Sequence, residues 1–345
     1  MNASACNRSI ECKDLWFAIR GLTGILLILV FVPALVGQDK PAELTGTLSY
    51  DITSKSGSVQ AIEVMVGDGG SGPYRSALIG DPALPTHTLY RPRDLQPFGG
   101  AVKLPIVAWA NGGCRNSSGE FRNFLTEIAS HGFLVVAIGP AASSVTSGSE
   151  LPGLTTQASQ LLDGVDWAIA ENSRAGSAYR GKIDTAKIAV MGQSCGGVQA
   201  ITVSVDPRVT TTVIWNSGLF AKPPSPPPGV PAGALKGMEM PGKEILAKLH
   251  APIAYFIGGQ SDIAHGNAAD DFMRIEGIPV ILANREVGHY PATYREPRGG
   301  AFAQAGAAWL KWQLMGDQKA AAMFTGEHCG LCTDTHWTVQ RKNLN

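Results

Sequence analysis

The segment Gly192-Gln193-Ser194-Cys195-Gly196 places a hydroxyl midway between two glycines. The apolar run Ile188-Ala189-Val190-Met191 before it has strand character, and Val198-Gln199-Ala200-Ile201 after it reads as a helix. A strand that turns into a helix this sharply lifts the residue at its apex clear of both elements. Side chains two positions before and after the apex would collide with its neighbours, and glycine at both removes the clash. The Ser194 hydroxyl is then presented as a nucleophile. The first turn of the helix adds N–H groups and the positive end of its dipole, both suited to a developing oxyanion. The thiol of Cys195 competes for the role, but Cys195 has Gln193 at minus two, whereas Ser194 alone has glycine on both sides. A structural Gly-rich turn is the plain alternative.

A serine nucleophile needs a base, an acid that orients the base, and oxyanion donors. For a strand–turn–helix nucleophile the chain order is Ser, acid, His. Of seven histidines, His289 alone follows a buried-type strand late in the chain, after Val280-Ile281-Leu282-Ala283, with Gly288 before it and Tyr290 behind. His131 reads as a cap at a helix C-terminus, and His87, His250 and His265 as surface or packing residues. The preceding strand, Tyr255-Phe256-Ile257, leads to Asp262 as the acid. Asp270 and Asp271 read as solvated positions on the next helix, and Asp206 as part of a turn with Pro207. Trp109-Ala110-Asn111-Gly112-Gly113-Cys114 ends another buried strand. The N–H groups of Gly113 and Cys195 are the expected oxyanion donors, with a plain strand-end turn as the alternative for this loop. Trp215 and Tyr290 are candidates for an apolar substrate wall, core packing being equally open for Trp215.

These residues must be held by a scaffold. Leu104–Ala110 is an unbroken apolar run, as expected for a strand covered on both faces, Phe133–Ile138 is the next buried run, and Ile188–Met191, Val209–Trp215, Pro252–Ile257 and Ile278–Ala283 read as further strands. Between them apolar residues recur at helical spacing, in Phe121 to Ala129 and in Ala158 to Ile169, and again in Phe302 to Leu310. Strands alternating with helices predict an α/β fold with a mostly parallel twisted sheet flanked by helices. Residues 43–66 alternate weakly and His87–Arg91 is a further strand, so extra antiparallel strands are expected at the N-terminal edge.

The chain has 345 residues, with 28 Lys and Arg balanced by 28 Asp and Glu. That neutrality excludes a nucleic-acid binder working by charge, and 44% hydrophobic content excludes a disordered chain. Gly21–Gly37 is uncharged and mostly apolar behind Arg8, Lys13 and Arg20. Residues 1–40 therefore read as a secretory signal peptide, with a retained membrane anchor or a buried helix as alternatives. On the first reading the mature chain has no stable membrane span and is secreted or periplasmic. Residues 41–316 form the α/β domain, and 317–345 a C-terminal tail carrying a CxxC. The Pro-rich insertion 221–241 is a surface loop or a lid over the substrate cleft.

Gly72-Pro73-Tyr74, Ala129-Ser130-His131-Gly132-Phe133, Gly192-Gln193-Ser194-Cys195-Gly196-Gly197 and Val287-Gly288-His289-Tyr290 carry a resemblance. Over residues 70 to 315 the chain resembles the α/β-hydrolase superfamily. The likeness is to its secreted serine esterase branch near dienelactone hydrolases, cutinase-like polyester hydrolases and platelet-activating-factor acetylhydrolases. It implies the triad Ser194, Asp262 and His289, an α/β-hydrolase fold, and no cofactor. Asn111 stands where many lipases have His, and Cys195 and the Asn111-Gly112-Gly113 loop depart from the polyester hydrolases.

Without its leader the chain keeps Cys114, Cys195, Cys329 and Cys332, an even number that suits two disulfides in an exported protein. Cys114 follows the expected oxyanion donor Gly113 and Cys195 follows Ser194, so if both loops build one oxyanion hole a bond between them is within reach; two free buried thiols are the alternative. Cys329 and Cys332 read as a disulfide, with zinc held also by His328 and His336 as the rival and no bond as a third reading. The leading expectation is a secreted serine hydrolase acting on small or polymeric carboxylic esters through an acyl-enzyme, with no metal. A lipase or amidase on another acyl substrate is the runner-up, and an inactive binding protein with the same fold the third.

Overall fold

A computed structural model of the chain describes residues 44–45, 62–145, 156–222, 240–290 and 292–344. Among these, eleven strands join in one sheet. They are β1 (Leu44–Thr45), β2 (Ile62–Val66), β3 (Ser76–Gly80), β4 (His87–Pro92), β5 (Leu104–Ala110) and β6 (Leu134–Ile138), then β7 (Ile183–Gln193), β8 (Thr211–Trp215), β9 (Ile253–Ile257), β10 (Val280–Asn284) and β11 (Thr338–Lys342). The spatial order is β1-β2-β3-β4-β6-β5-β7-β8-β9-β10-β11. The six strands from β6 to β10 in that order run parallel, and both flanks are antiparallel. This is the mixed, mostly parallel sheet of an α/β-hydrolase fold, with the antiparallel N-terminal strands in place.

Every residue of β5, β6, β8 and β9 is buried. Alternation divides them between two layers, because successive side chains of a strand point to opposite faces. Ile106, Ala108, Ala110, Ile188 and Val190 pack on one face, with residues of α3 (Ser159–Ser173), α4 (Cys195–Val203) and α5 (His265–Arg274). Val107, Trp109, Ala189, Met191 and Trp215 pack on the other, with α1 (Arg122–Ser130) and α6 (Gly300–Met315).

Register brings the C-terminal ends of the parallel strands level. Ala110 lies opposite Gly192, Gln193 opposite Trp215, Trp215 opposite Phe256, and Ile257 opposite Asn284. The loops that leave these ends are therefore neighbours, and ligands bind at such edges of α/β sheets.

Three features differ from the sequence expectations. Strand β3 was not anticipated. Its four successive buried residues, Ser76 to Ile79, show neither alternation nor a long apolar run. The tail from residue 317 does not stand apart from the fold. Its strand β11 pairs along the whole of β10, from Val280 opposite Lys342 to Asn284 opposite Thr338, and Trp337 packs beside Phe302 and Phe256. The sequence of β11, Thr-Val-Gln-Arg-Lys, is polar because it is an edge strand. Asp271 is fully buried rather than solvated: it accepts from Lys243 Nζ at 2.8 Å and from the Leu219 N–H at 2.8 Å.

Cys329 and Cys332 are joined in a disulfide across the start of a four-residue helix, Gly330–Thr333. Among the described residues no helix is long and apolar enough to cross a membrane. The leader at residues 1–40 lies outside the described residues, as do 223–239 of the Pro-rich insertion.

Candidate active site

Strand β7 ends at Gln193, α4 begins at Cys195, and Ser194 is the whole of the turn between them. Ser194 has φ 51° and ψ −117°, a positive φ that non-glycine residues rarely adopt. A Cβ on Gly192 would run into the Gly196 carbonyl, and one on Gly196 into the Ala110 carbonyl. The glycines thus do more than spare one another: Gly196 lets α4 start directly against the end of β5. The Ser194 N–H donates to the Trp215 carbonyl at 3.0 Å, and the Ser217 hydroxyl donates to the Ser194 carbonyl at 2.6 Å. The strained turn is therefore clamped from β8.

The Ser194 Oγ lies 2.9 Å from His289 Nε2, and His289 Nδ1 lies 2.6 Å from Asp262 Oδ1. The structure brings these three together from three loops. The Asp262 side chain is fully buried, and that of His289 is one-quarter exposed. Asp262 Oδ1 also accepts from the Ala264 N–H at 2.9 Å, while Oδ2 accepts from the Gly258 N–H at 2.9 Å and Asn216 Nδ2 at 2.8 Å. Burial pushes the Asp262 carboxyl up, but the bonds from His289, Ala264, Gly258 and Asn216 outweigh it and hold it below its ordinary value.

The loop after β5 is a 3-10 turn, Gly112–Cys114. Asn111 does not face outward. It is fully buried, accepts from Trp109 Nε1 at 2.8 Å, and donates to the carbonyls of Ile138 at 2.7 Å and Arg115 at 2.9 Å. With its base fixed in this way, the turn leaves Gly113 exposed at φ 64°. Cys114 and Cys195 form a disulfide with their Cα atoms 5.2 Å apart. The bond ties this loop to the first residue of α4. The Cys114 carbonyl accepts in addition from the Thr156 N–H and hydroxyl, at 3.0 and 3.1 Å.

Tyr290 is 40% exposed at the rim of the site. Its hydroxyl donates to Glu120 at 2.9 Å, Arg295 pairs with the same carboxylate, and the Arg295 guanidinium lies 5.2 Å from the Tyr290 ring centre. Burial raises the Glu120 carboxyl, but the Tyr290 and Arg295 contacts bring it below its ordinary value. Trp215 is different. It is completely buried, stacked on Phe256 with centroids 4.6 Å apart, and the small face of Gly306 lies against its ring. The expectation of a substrate wall at Trp215 is therefore corrected to core packing: Trp215 ends a strand with its side chain turned toward α6.

Two residues against this constellation were not singled out from the sequence. Gln193 is buried, its Nε2 donates to the His289 carbonyl at 3.1 Å, and its Oε1 occupies the space where a Cβ on Gly112 would stand. Asn216, which follows β8, donates to Asp262 and also to the Gly288 carbonyl at 3.1 Å, and accepts from the Tyr294 hydroxyl at 2.6 Å. For Gln193 a local signal existed, since it sits inside the Gly-x-Ser-x-Gly segment. For Asn216 the signal was an Asn at the end of a buried strand, a place that favours positive φ.

No curated protein matches the chain. A family model described as PETase, PET hydrolase-like, matches residues 100–216, from the approach to β5 through Ser194 to Asn216. By its fold, and over the segment that carries Gly112, Gly113 and Ser194, the chain is similar to the PET hydrolase-like ester hydrolases of the α/β-hydrolase superfamily.

Proposed function

We propose that the chain is an exported serine hydrolase that cleaves carboxylic esters through an acyl-enzyme. The observation that carries this reading is the unbroken hydrogen-bonded run Ser194–His289–Asp262, with Ser194 at the apex of a strained turn. The Ser194 Oγ attacks the ester carbonyl while His289 Nε2 takes its proton. Asp262 keeps the other ring proton on Nδ1 and stabilises the imidazolium that forms. The carbonyl π pair moves onto oxygen, and the N–H groups of Gly113 and Cys195 receive that oxyanion. Collapse of the tetrahedral adduct expels the alkoxide, which takes the proton from His289 and leaves as alcohol. Water then attacks the acyl-serine with His289 again as base, releasing the acid and restoring the Ser194 hydroxyl.

The mechanism draws only on side chains and backbone N–H groups. Tyr290 supplies an apolar face beside His289 for the substrate. The two disulfides support export, since such bonds persist in oxidising compartments.

The test is hydrolysis of p-nitrophenyl esters of graded acyl length by wild type and by Ser194→Ala. Loss of the nucleophile removes turnover by several powers of ten, on the order of 10⁴ or more. An aryl phosphonate is expected to label Ser194, read by peptide mass. A Ser194→Ala protein that keeps its rate, or a phosphonate adduct elsewhere, refutes the assignment.

A further inference from the structure

Beside the acid lies a buried amide that the mechanism above does not use. Asn216 is fully buried, one residue past β8, with φ 44°. Its backbone N–H donates to the Phe256 carbonyl at 2.8 Å, which fixes its Cα against β9. Its side chain then reaches three groups. Nδ2 donates to Asp262 Oδ2 at 2.8 Å and to the Gly288 carbonyl at 3.1 Å, and Oδ1 accepts from the Tyr294 hydroxyl at 2.6 Å.

A buried amide needs partners of some kind. Those of Asn216 are the acid itself and the residue before His289. One rigid side chain therefore sets the carboxylate and the backbone entry to the imidazole relative to each other. Tyr294 decides which end of the amide does this. It is fully buried, and burial, with the Asp262 charge nearby, keeps its phenol well above the ordinary range, so it stays a donor. A donor on Oδ1 turns the NH₂ toward Asp262. Rotated the other way, the amide would aim its oxygen at a carboxylate.

We propose that Asn216, oriented by Tyr294, is a positioning residue that aligns Asp262 with His289. The inference rests on the serine-hydrolase reading. Without Asn216 the Asp262 Oδ2 keeps only the Gly258 N–H, and the carbonyl of Gly288 loses its tie to the same carboxylate. The Asp262 side chain is fully buried and acts through His289, so the effect is expected on kcat and not on KM.

The experiment is a double-mutant cycle on kcat, from steady-state initial rates over a range of p-nitrophenyl acetate concentrations. The variants are Asn216→Ala, Asp262→Asn and their combination, with Ser194→Ala as reference. Asn216→Ala is expected to lower kcat about tenfold or more with KM unchanged, and to add little once Asp262 has been changed. Tyr294→Phe, which removes one hydroxyl, is expected to lower kcat in the same direction by less. Where Asn216→Ala does not fold, judged by far-UV circular dichroism, Tyr294→Phe takes its place in the cycle. Wild-type kcat in both variants, or effects that multiply with that of Asp262→Asn, overturn the inference. If Ser194→Ala is itself active, the hydrolase reading has failed. If Ser194→Ala is inactive and the cycle multiplies, only the role of Asn216 has.

Discussion

Replacing Cys114 and Cys195 by alanine removes a bond that spans 81 residues of chain. In the chain-entropy treatment a loop of that length restricts the unfolded state by about 4.5 kcal/mol. The same treatment gives only about 1.6 kcal/mol for the second bridge, Cys329–Cys332, whose sequence separation is 3. The two pairs of substitutions thus make an internal comparison. Guanidinium unfolding, followed by Trp fluorescence, is expected to show a much larger loss of stability for the Cys114→Ala/Cys195→Ala protein than for Cys329→Ala/Cys332→Ala. The bond also fixes the Gly113 loop to the start of α4, the two places assigned to the oxyanion donors. One such donor is commonly worth about 10² to 10³ in kcat, so loosening two of them is expected to lower kcat by about tenfold or more with KM little changed. Equal stability losses in the two double variants would show that loop length does not govern the effect. An unchanged kcat would show that the bond does not hold the donors. Alkylation of a Cys114 peptide without prior reduction would remove the premise of both.

A methyl group at Gly196 must displace the Ala110 carbonyl at the end of β5, so Gly196→Ala is expected to lose about 2 kcal/mol or more, or to fail to fold, read by the same unfolding assay; a fully stable variant would show that α4 can move away from β5. Burial pushes the Asp271 carboxyl up to about 6 against the pull of Lys243. The folded chain then keeps a proton that the unfolded chain sheds near 3.8, so the contribution of Asp271 to stability is full below that pH and is lost as pH rises through about 6. The stability of Asp271→Asn relative to wild type is accordingly expected to increase between pH ~4 and pH ~7, and a constant difference would refute the assignment.

The alternation of apolar runs with helical spacing made the parallel sheet legible, because both signals are local. The same holds for the turn at Ser194, where the glycines that permit it sit two positions away. His289 and Asp262 were picked by the ends of the strands before them, and register puts those strand ends side by side. What was hidden depends on distant partners. The amide of Asn216 bonds to groups on Asp262, Gly288 and Tyr294, each separated from it by 46 residues or more. No local pattern distinguishes such an Asn from one in a turn. The side chain of Trp215 was misjudged for a related reason: its type fits a pocket or a core, and only the phase of β8 decides between them. Asp271 and Asp270 look alike in sequence, yet one is sealed behind Lys243 and the other is not.

The eleventh strand has a bearing on how the molecule behaves among its own copies. Without it β10 would be the last strand of the sheet, a row of unpaired N–H and C=O groups on the strand Val-Ile-Leu-Ala-Asn. Such an edge is a template for strands of another chain. The tail occupies it over five residues and substitutes a border that carries Arg341 and Lys342. Both side chains tie the strand down, Arg341 donating to the Phe324 carbonyl and Lys342 to those of Phe272 and Met273. Residues 338–342 thus cover the edge of β10, the strand that precedes the loop carrying His289, and leave no bare apolar edge there for a strand of another copy.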